Sequence, residues 1–126
     1  MRLKRMLLIA SVSLIALALR AEPQTKTAAN TIEITESRFQ FQPNEITVTK
    51  GQEVILLLHS TDVTHGLVVE ALGIPPTDEK KGRPTPVTFV PDKVGTFEGK
   101  CSHFCGSGHG SMKITIHVIE PTGASQ

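Results

Sequence analysis

Two thiols, two imidazoles and a thioether fall within a single run of twelve residues, Cys101-Ser-His-Phe-Cys105-Gly-Ser-Gly-His109-Gly-Ser-Met112. Thiolate and thioether are soft ligands and imidazole is borderline, so this donor set favours copper over oxygen-seeking calcium or magnesium. Gly106, Gly108 and Gly110 let the backbone turn tightly enough for donors three and four residues apart to meet at one point. Cys105, His109 and Met112 by themselves have the donor order of a mononuclear blue-copper loop: thiolate, imidazole, weak axial sulfur. Such a site needs a second histidine from elsewhere. His65, in Thr61-Asp-Val-Thr-His65-Gly66, opens an expected strand and is the natural candidate.

Cys101 is one ligand too many for that site, and three readings follow. Two thiolates four residues apart can bridge two copper ions. Alternatively, Cys101, Cys105, His65 and His109 can form a tetrahedral zinc set, against which Met112 counts. Finally, the cysteines can form a disulfide, but one spanning so short a loop removes little chain entropy and leaves the histidines and Met112 without a role. The ring of His103 is open to solvent, to electrostatic modulation of the site, or to service as a spare ligand. His117 alternates outward between Ile116 and Val118 and reads as a surface residue, whereas His59 lies on the second face of a strand and reads as a hydrogen-bonding histidine.

The elements that must position these donors are strands. Thr31–Ile34 and Glu45–Thr49 alternate apolar and polar residues, and Glu53–Leu58 is apolar on both faces, as in a central strand. His65–Val69, Thr85–Phe89, Gly95–Lys100 and Lys113–Ile119 add further candidates, separated by turn residues at Lys50-Gly51, Ile74-Pro75-Pro76 to Arg83-Pro84, Pro91-Asp92 and Gly95. No helical periodicity of ten residues or more follows residue 21. Seven or eight short strands in one domain predict an all-β, antiparallel Greek-key sandwich. Its expected core is Ile46, Val48, Val54, Leu56, Leu58, Leu67, Val69, Val87, Phe89, Phe97, Ile114, Ile116 and Val118. The charged cluster Asp78-Glu-Lys-Lys81 with Arg83 reads as a solvated loop, with a docking patch as the alternative.

With Cys101-x3-Cys105-x3-His109-x2-Met112 and the upstream Asp62-Val-x-His65, residues 31 to 120 resemble the CuA domain of cytochrome c oxidase subunit II, a cupredoxin. That resemblance implies a dinuclear copper site. In it Cys101 and Cys105 bridge the ions, His65 and Met112 complete one, and His109 with the backbone carbonyl of His103 completes the other. It implies one-electron transfer with no open position for substrate, and redox partners: cytochrome c or another donor, and the catalytic subunit of a haem-copper oxidase. Many members carry glutamate where this chain has His103, and a tryptophan near copper that receives electrons from cytochrome c; this chain has no Trp. A periplasmic copper delivery or storage protein and a mononuclear blue-copper carrier are the competing functions.

The 126 residues carry 13 Lys and Arg against 12 Asp and Glu. Arg2, Lys4, Arg5 and Arg20 all precede the first acid, Glu22, so the remaining body is mildly acidic. It has neither the basic stripe nor the stacking aromatics of a nucleic-acid binder. Met6–Leu19 is apolar but as a helix would reach only about 21 Å at ~1.5 Å per residue, short of the ~30 Å of a hydrocarbon core. Residues 1–21 therefore read as a signal peptide, or as an uncleaved anchor that attaches the chain to a membrane through residues 6–19. Residues 22–30 read as a flexible tether and 121–126 as a disordered tail. Both readings of residues 1–21 place the domain in the periplasm or at the extracytoplasmic face of a membrane.

Overall fold

The computed structural model describes residues 30–123. The expected signal or anchor, all of the tether except Asn30, and the last three residues lie outside the described residues. Among the described residues there are nine strands: β1 (Asn30–Ser37), β2 (Gln40–Gln42), β3 (Glu45–Thr49), β4 (Val54–Ser60), β5 (His65–Val69), β6 (Ile74–Glu79), β7 (Thr85–Phe89), β8 (Gly95–Lys100) and β9 (Lys113–Ile119). They form a four-stranded sheet ordered β2-β1-β4-β7 and a five-stranded sheet ordered β3-β9-β8-β5-β6.

Alternation sets the inner faces. Val54, Leu56 and Leu58 of β4 face Ile114, Ile116 and Val118 of β9 across the sandwich, and all six are buried. Each such aliphatic side chain contributes roughly 1.5–3 kcal/mol on burial. All the expected core residues are buried except Phe97, which is partly covered, and Ile34, Phe41, Leu72 and Ile74 join the core together with Cys101, Cys105 and Met112. Gly99 of β8 is held small by the opposing side chains, since a Cβ there would lie 2.8 Å from both Ile114 Cγ2 and Val69 Cγ2.

Three details differ from the sequence reading. β1 pairs with β4, and β3 with β9, in parallel. The chain leaves the first sheet after β2, lays down β3 in the second, and returns to place β4 beside β1, a crossover that alternation does not encode. β6 includes Pro75 and Pro76, which read as turn residues; as the outermost strand of its sheet, β6 can do without their N–H groups. Finally, Glu79 is not part of a solvated cluster but is fully buried, as is Glu36 of β1.

The two acids meet beneath the end of the sandwich where β1 and β4 terminate and β5 begins. Ser60 donates its N–H to Glu79, while no donor reaches the Glu36 carboxyl oxygens among the described residues. Burial, and then the facing Glu79 carboxyl, push Glu36 from 4.5 up to about 9. Folded Glu36 thus keeps a proton that the unfolded chain releases near its ordinary value, so stability is lost as pH rises from there through about 9. Glu36→Gln, neutral at every pH, should remove that part of the slope. Thermal melts should place the variant progressively above the wild type as pH rises from 5 to 9; melting curves that stay parallel would contradict the buried proton.

Candidate metal centre

Four connections gather at that end of the sandwich: the Arg38-Phe39 turn between β1 and β2, Thr61–Thr64 before β5, the β6–β7 loop, and Cys101–Met112 between β8 and β9. The last is pinned at both ends, because the Cys101 N–H donates to the Met112 carbonyl at 3.0 Å and the Ser102 N–H donates to the Gly66 carbonyl at 3.2 Å. Gly66 permits this approach: a Cβ there would stand 2.4 Å from Ser102 Oγ and 2.8 Å from the Thr77 carbonyl oxygen. Within the loop, N–H bonds from His109 to Gly106 and from Ser111 to Gly108 wind a short 3-10 turn at His109–Ser111, which returns Met112 to the core. The Phe39 ring lies under Gly108, where a Cβ would fall 2.4 Å from it.

The donors converge. Cys101 and Cys105 are buried free thiols with their sulfurs 3.8 Å apart, well beyond the ~2.05 Å of a disulfide. His65 Nδ1 lies 4.0 Å from Cys101 Sγ, and the Cys101 thiol donates to the His103 carbonyl oxygen at 3.1 Å. On the other side, Cys105 Sγ is 3.8 Å from His109 Nδ1 and 4.0 Å from Met112 Sδ. The donor atoms of His65, Cys101 and Cys105 all lie within 4.8 Å of one another, and His109 falls outside that group. Burial pushes the Cys101 thiol up to about 11, with backbone hydrogen bonds at Gly66 and His103 opposing and Cys105 adding to the rise.

Of the six residues marked in the sequence, five bring side chains to this cluster. His103 brings only its carbonyl, its half-exposed ring turning outward to Asp78 with Nδ1 3.1 Å from Oδ2. His117 is held on the surface by Thr96 and Glu45, whereas the buried Nε2 of His59 has no hydrogen-bond partner among the described residues, unlike the hydrogen-bonding histidine expected from the sequence.

Asp62 and Arg38 organise the donors without joining them. The Asp62 carboxylate accepts from the Val63 N–H at 2.7 Å and the Arg38 N–H at 2.8 Å, and Oδ1 stands 2.7 Å from His65 Nε2. Partial burial opposes the Asp62 charge, but the bonds from Arg38, His65 and Val63 outweigh it and hold the carboxyl down at about 2. An ionised Asp62 keeps the proton of His65 on Nε2 and leaves the Nδ1 lone pair facing the sulfurs. Arg38 Nε donates to the Cys105 carbonyl at 2.9 Å, so one residue ties the His65 segment to the cysteine loop. Neither role is visible in sequence, apart from the three-residue spacing of Asp62 and His65.

The profile of the cytochrome c oxidase subunit II periplasmic domain matches residues 25–119. The chain belongs to that family. It is 33% identical over 101 residues to cytochrome c oxidase subunit 2 of Thermus thermophilus, covering 80% of this chain and 74% of that protein. Among solved structures it resembles the periplasmic domain of subunit II of cytochrome oxidase of Bradyrhizobium japonicum, with TM-score 0.67 and 27% identity over 75% of this chain and 86% of that one. A mixed disulfide intermediate between a thioredoxin-like protein and subunit II of cytochrome c oxidase gives TM-score 0.61 and 26% identity, covering 75% of this chain and 84% of that one. The chain spans 33% to 74% of the length of the curated relatives it matches.

The domain is thus extracytoplasmic and of the cupredoxin type, and the family's group is a pair of copper ions. The donors fit that group. Two sulfurs 3.8 Å apart can both be reached by one ion at about 2.3 Å, and so by an ion on each side. The position of His109 does not suit a single tetrahedral ion, whose donors would all stand about 3.3–3.8 Å apart. Asp62→Ala should weaken copper binding about 10–100-fold by freeing the His65 ring, the usual cost of losing such an outer partner. Competition against a Cu(I) chelator measures this, and unchanged affinity would contradict the orienting role.

Proposed function

We propose that this domain relays single electrons through two copper ions bridged by Cys101 and Cys105, with His65 and Met112 completing one ion and His109 and the His103 carbonyl the other. The observation that carries this reading is the pair of free thiols 3.8 Å apart with an imidazole at each, His65 at Cys101 and His109 at Cys105, and His109 outside the compact group that a single ion would gather. When bound, such a pair supplies one-electron exchange with little change of geometry. The chain's own residues do the rest. The sandwich fixes His65 and the loop before metal arrives, and Asp62 sets the donor nitrogen. Cys101, Cys105, Met112 and His65 are buried, which keeps bulk water from the donors. Burial of four donors also favours a resident ion over one passed to an acceptor, which weighs against copper delivery.

The partners proposed are an electron donor on one side and a haem-copper oxidase on the other. A thiol pair in contact, in a protein of an oxidising compartment, must also be kept reduced before it can bind metal. The relative caught in mixed disulfide with a thioredoxin-like protein supports a reductant of that class acting on Cys101 and Cys105.

The copper-loaded protein should bind two ions per chain and display a paramagnetic resonance pattern of one electron shared by two copper nuclei. Cys101→Ser should leave the pattern of a single copper, or none. A two-copper pattern that survives the substitution would overturn the bridging assignment.

A further inference from the structure

The charges of this domain are divided between its two ends. Around the metal centre the exposed cations Arg38, Lys80, Lys81 and Arg83, and Lys100 next to Cys101, form no ion pair among the described residues, whereas Lys113 next to Met112 is paired with Glu98. The β6–β7 loop that carries three of them is seated against the end of β4 by a bond from the Gly82 N–H to the Ser60 carbonyl. The acids at this end that reach the surface, Asp62 and Asp78, are two against the four cations Arg38, Lys80, Lys81 and Arg83. Asp62 accepts from His65, Arg38 and Val63, Asp78 pairs with His103, and Glu36 and Glu79 are buried. At the opposite end, Glu53, Asp92 and Glu120 outnumber Lys50 and Lys93, and Lys50 is paired with Glu120.

At the same end stands one large apolar side chain. Phe104 is 74% exposed although its neighbour Cys105 is buried, and its ring packs at 5.7 Å on that of His109. It borders a shallow depression of about 290 Å³ lined also by Arg38, Val63, Thr64 and His103. An exposed aromatic at an end rich in exposed cations has the composition of a protein-docking centre.

We infer that this face, with Phe104 beside Arg38 and with Lys80, Lys81 and Arg83 on the β6–β7 loop at the same end of the sandwich, docks a one-electron redox protein whose own contact surface is acidic with an apolar centre. The inference rests on the electron-transfer reading and assigns the charge of the partner. Unpaired cations attract such a surface over a Debye length and would repel a lysine-ringed one. Docking here brings the partner against Phe104 and the His109 ring, beside the sulfur pair.

The test uses the full-length, copper-loaded, reduced protein with hexacyanochromate(III) as a redox-inert, paramagnetic anion. Amide signals of Thr64, Phe104 and Lys80 to Arg83 should broaden selectively; broadening at the far end, or at neither end, would overturn the assignment. The triple substitution K80E/K81E/R83E should abolish the broadening. At low ionic strength it should also slow electron transfer to hexacyanoferrate(III) about tenfold or more, with the copper resonance spectrum unchanged. An unaltered rate would overturn the proposal. So would co-sedimentation with phosphatidylglycerol vesicles that depends on the same three residues, which would assign the face to lipid. Absence of electron exchange with broadening intact would instead overturn the electron-transfer reading and leave the anion-attracting face supported.

Discussion

The Asp62 carboxylate is the constraint on which the metal centre depends. It holds the His65 ring by Nε2, and through the Arg38 amide it fastens the β1–β2 turn to the segment before β5. Arg38 then reaches the Cys105 carbonyl, so two ligand-bearing segments far apart in sequence share one hydrogen-bonded link. Each bond is charge-assisted or partly shielded, which makes it stronger than a neutral surface bond. The sandwich sets the spacing of the segments, and this link sets their orientation.

Below the link lies a less ordinary arrangement. Glu36 and Glu79 occupy inward-facing positions where alternation would place aliphatic residues, and Ser60 sits with them. Burying two carboxyl groups there costs stability that the aliphatic core must offset. The acids sit under the Ser60–His65 segment, so the least apolar part of the interior is also the part that carries a ligand.

The donors themselves were legible in the sequence because their chemistry is local: a twelve-residue loop with a fixed order of sulfur and imidazole, and a histidine at a strand start. The strands with clean alternation were equally legible. β6 was hidden because Pro75 and Pro76 carry the signal of a turn, and only its place at the sheet edge makes them tolerable. The parallel pairings were hidden because period-two alternation marks a face, not a direction. Arg38 could not be read as a clamp, since its bond to Cys105 joins residues 67 apart. Nor could Phe39 be seen to support Gly108. The carbonyl of His103 was anticipated only through family resemblance, because a backbone donor leaves no trace in residue type.

The central claim is that Cys101 and Cys105 hold two metal ions side by side, not one ion or a disulfide. X-ray absorption at the copper edge of the loaded protein tests it most directly. The account predicts a copper–copper scattering shell together with sulfur and imidazole shells. Sulfur and nitrogen shells with no metal–metal contribution, in protein containing a single copper per chain, would contradict it.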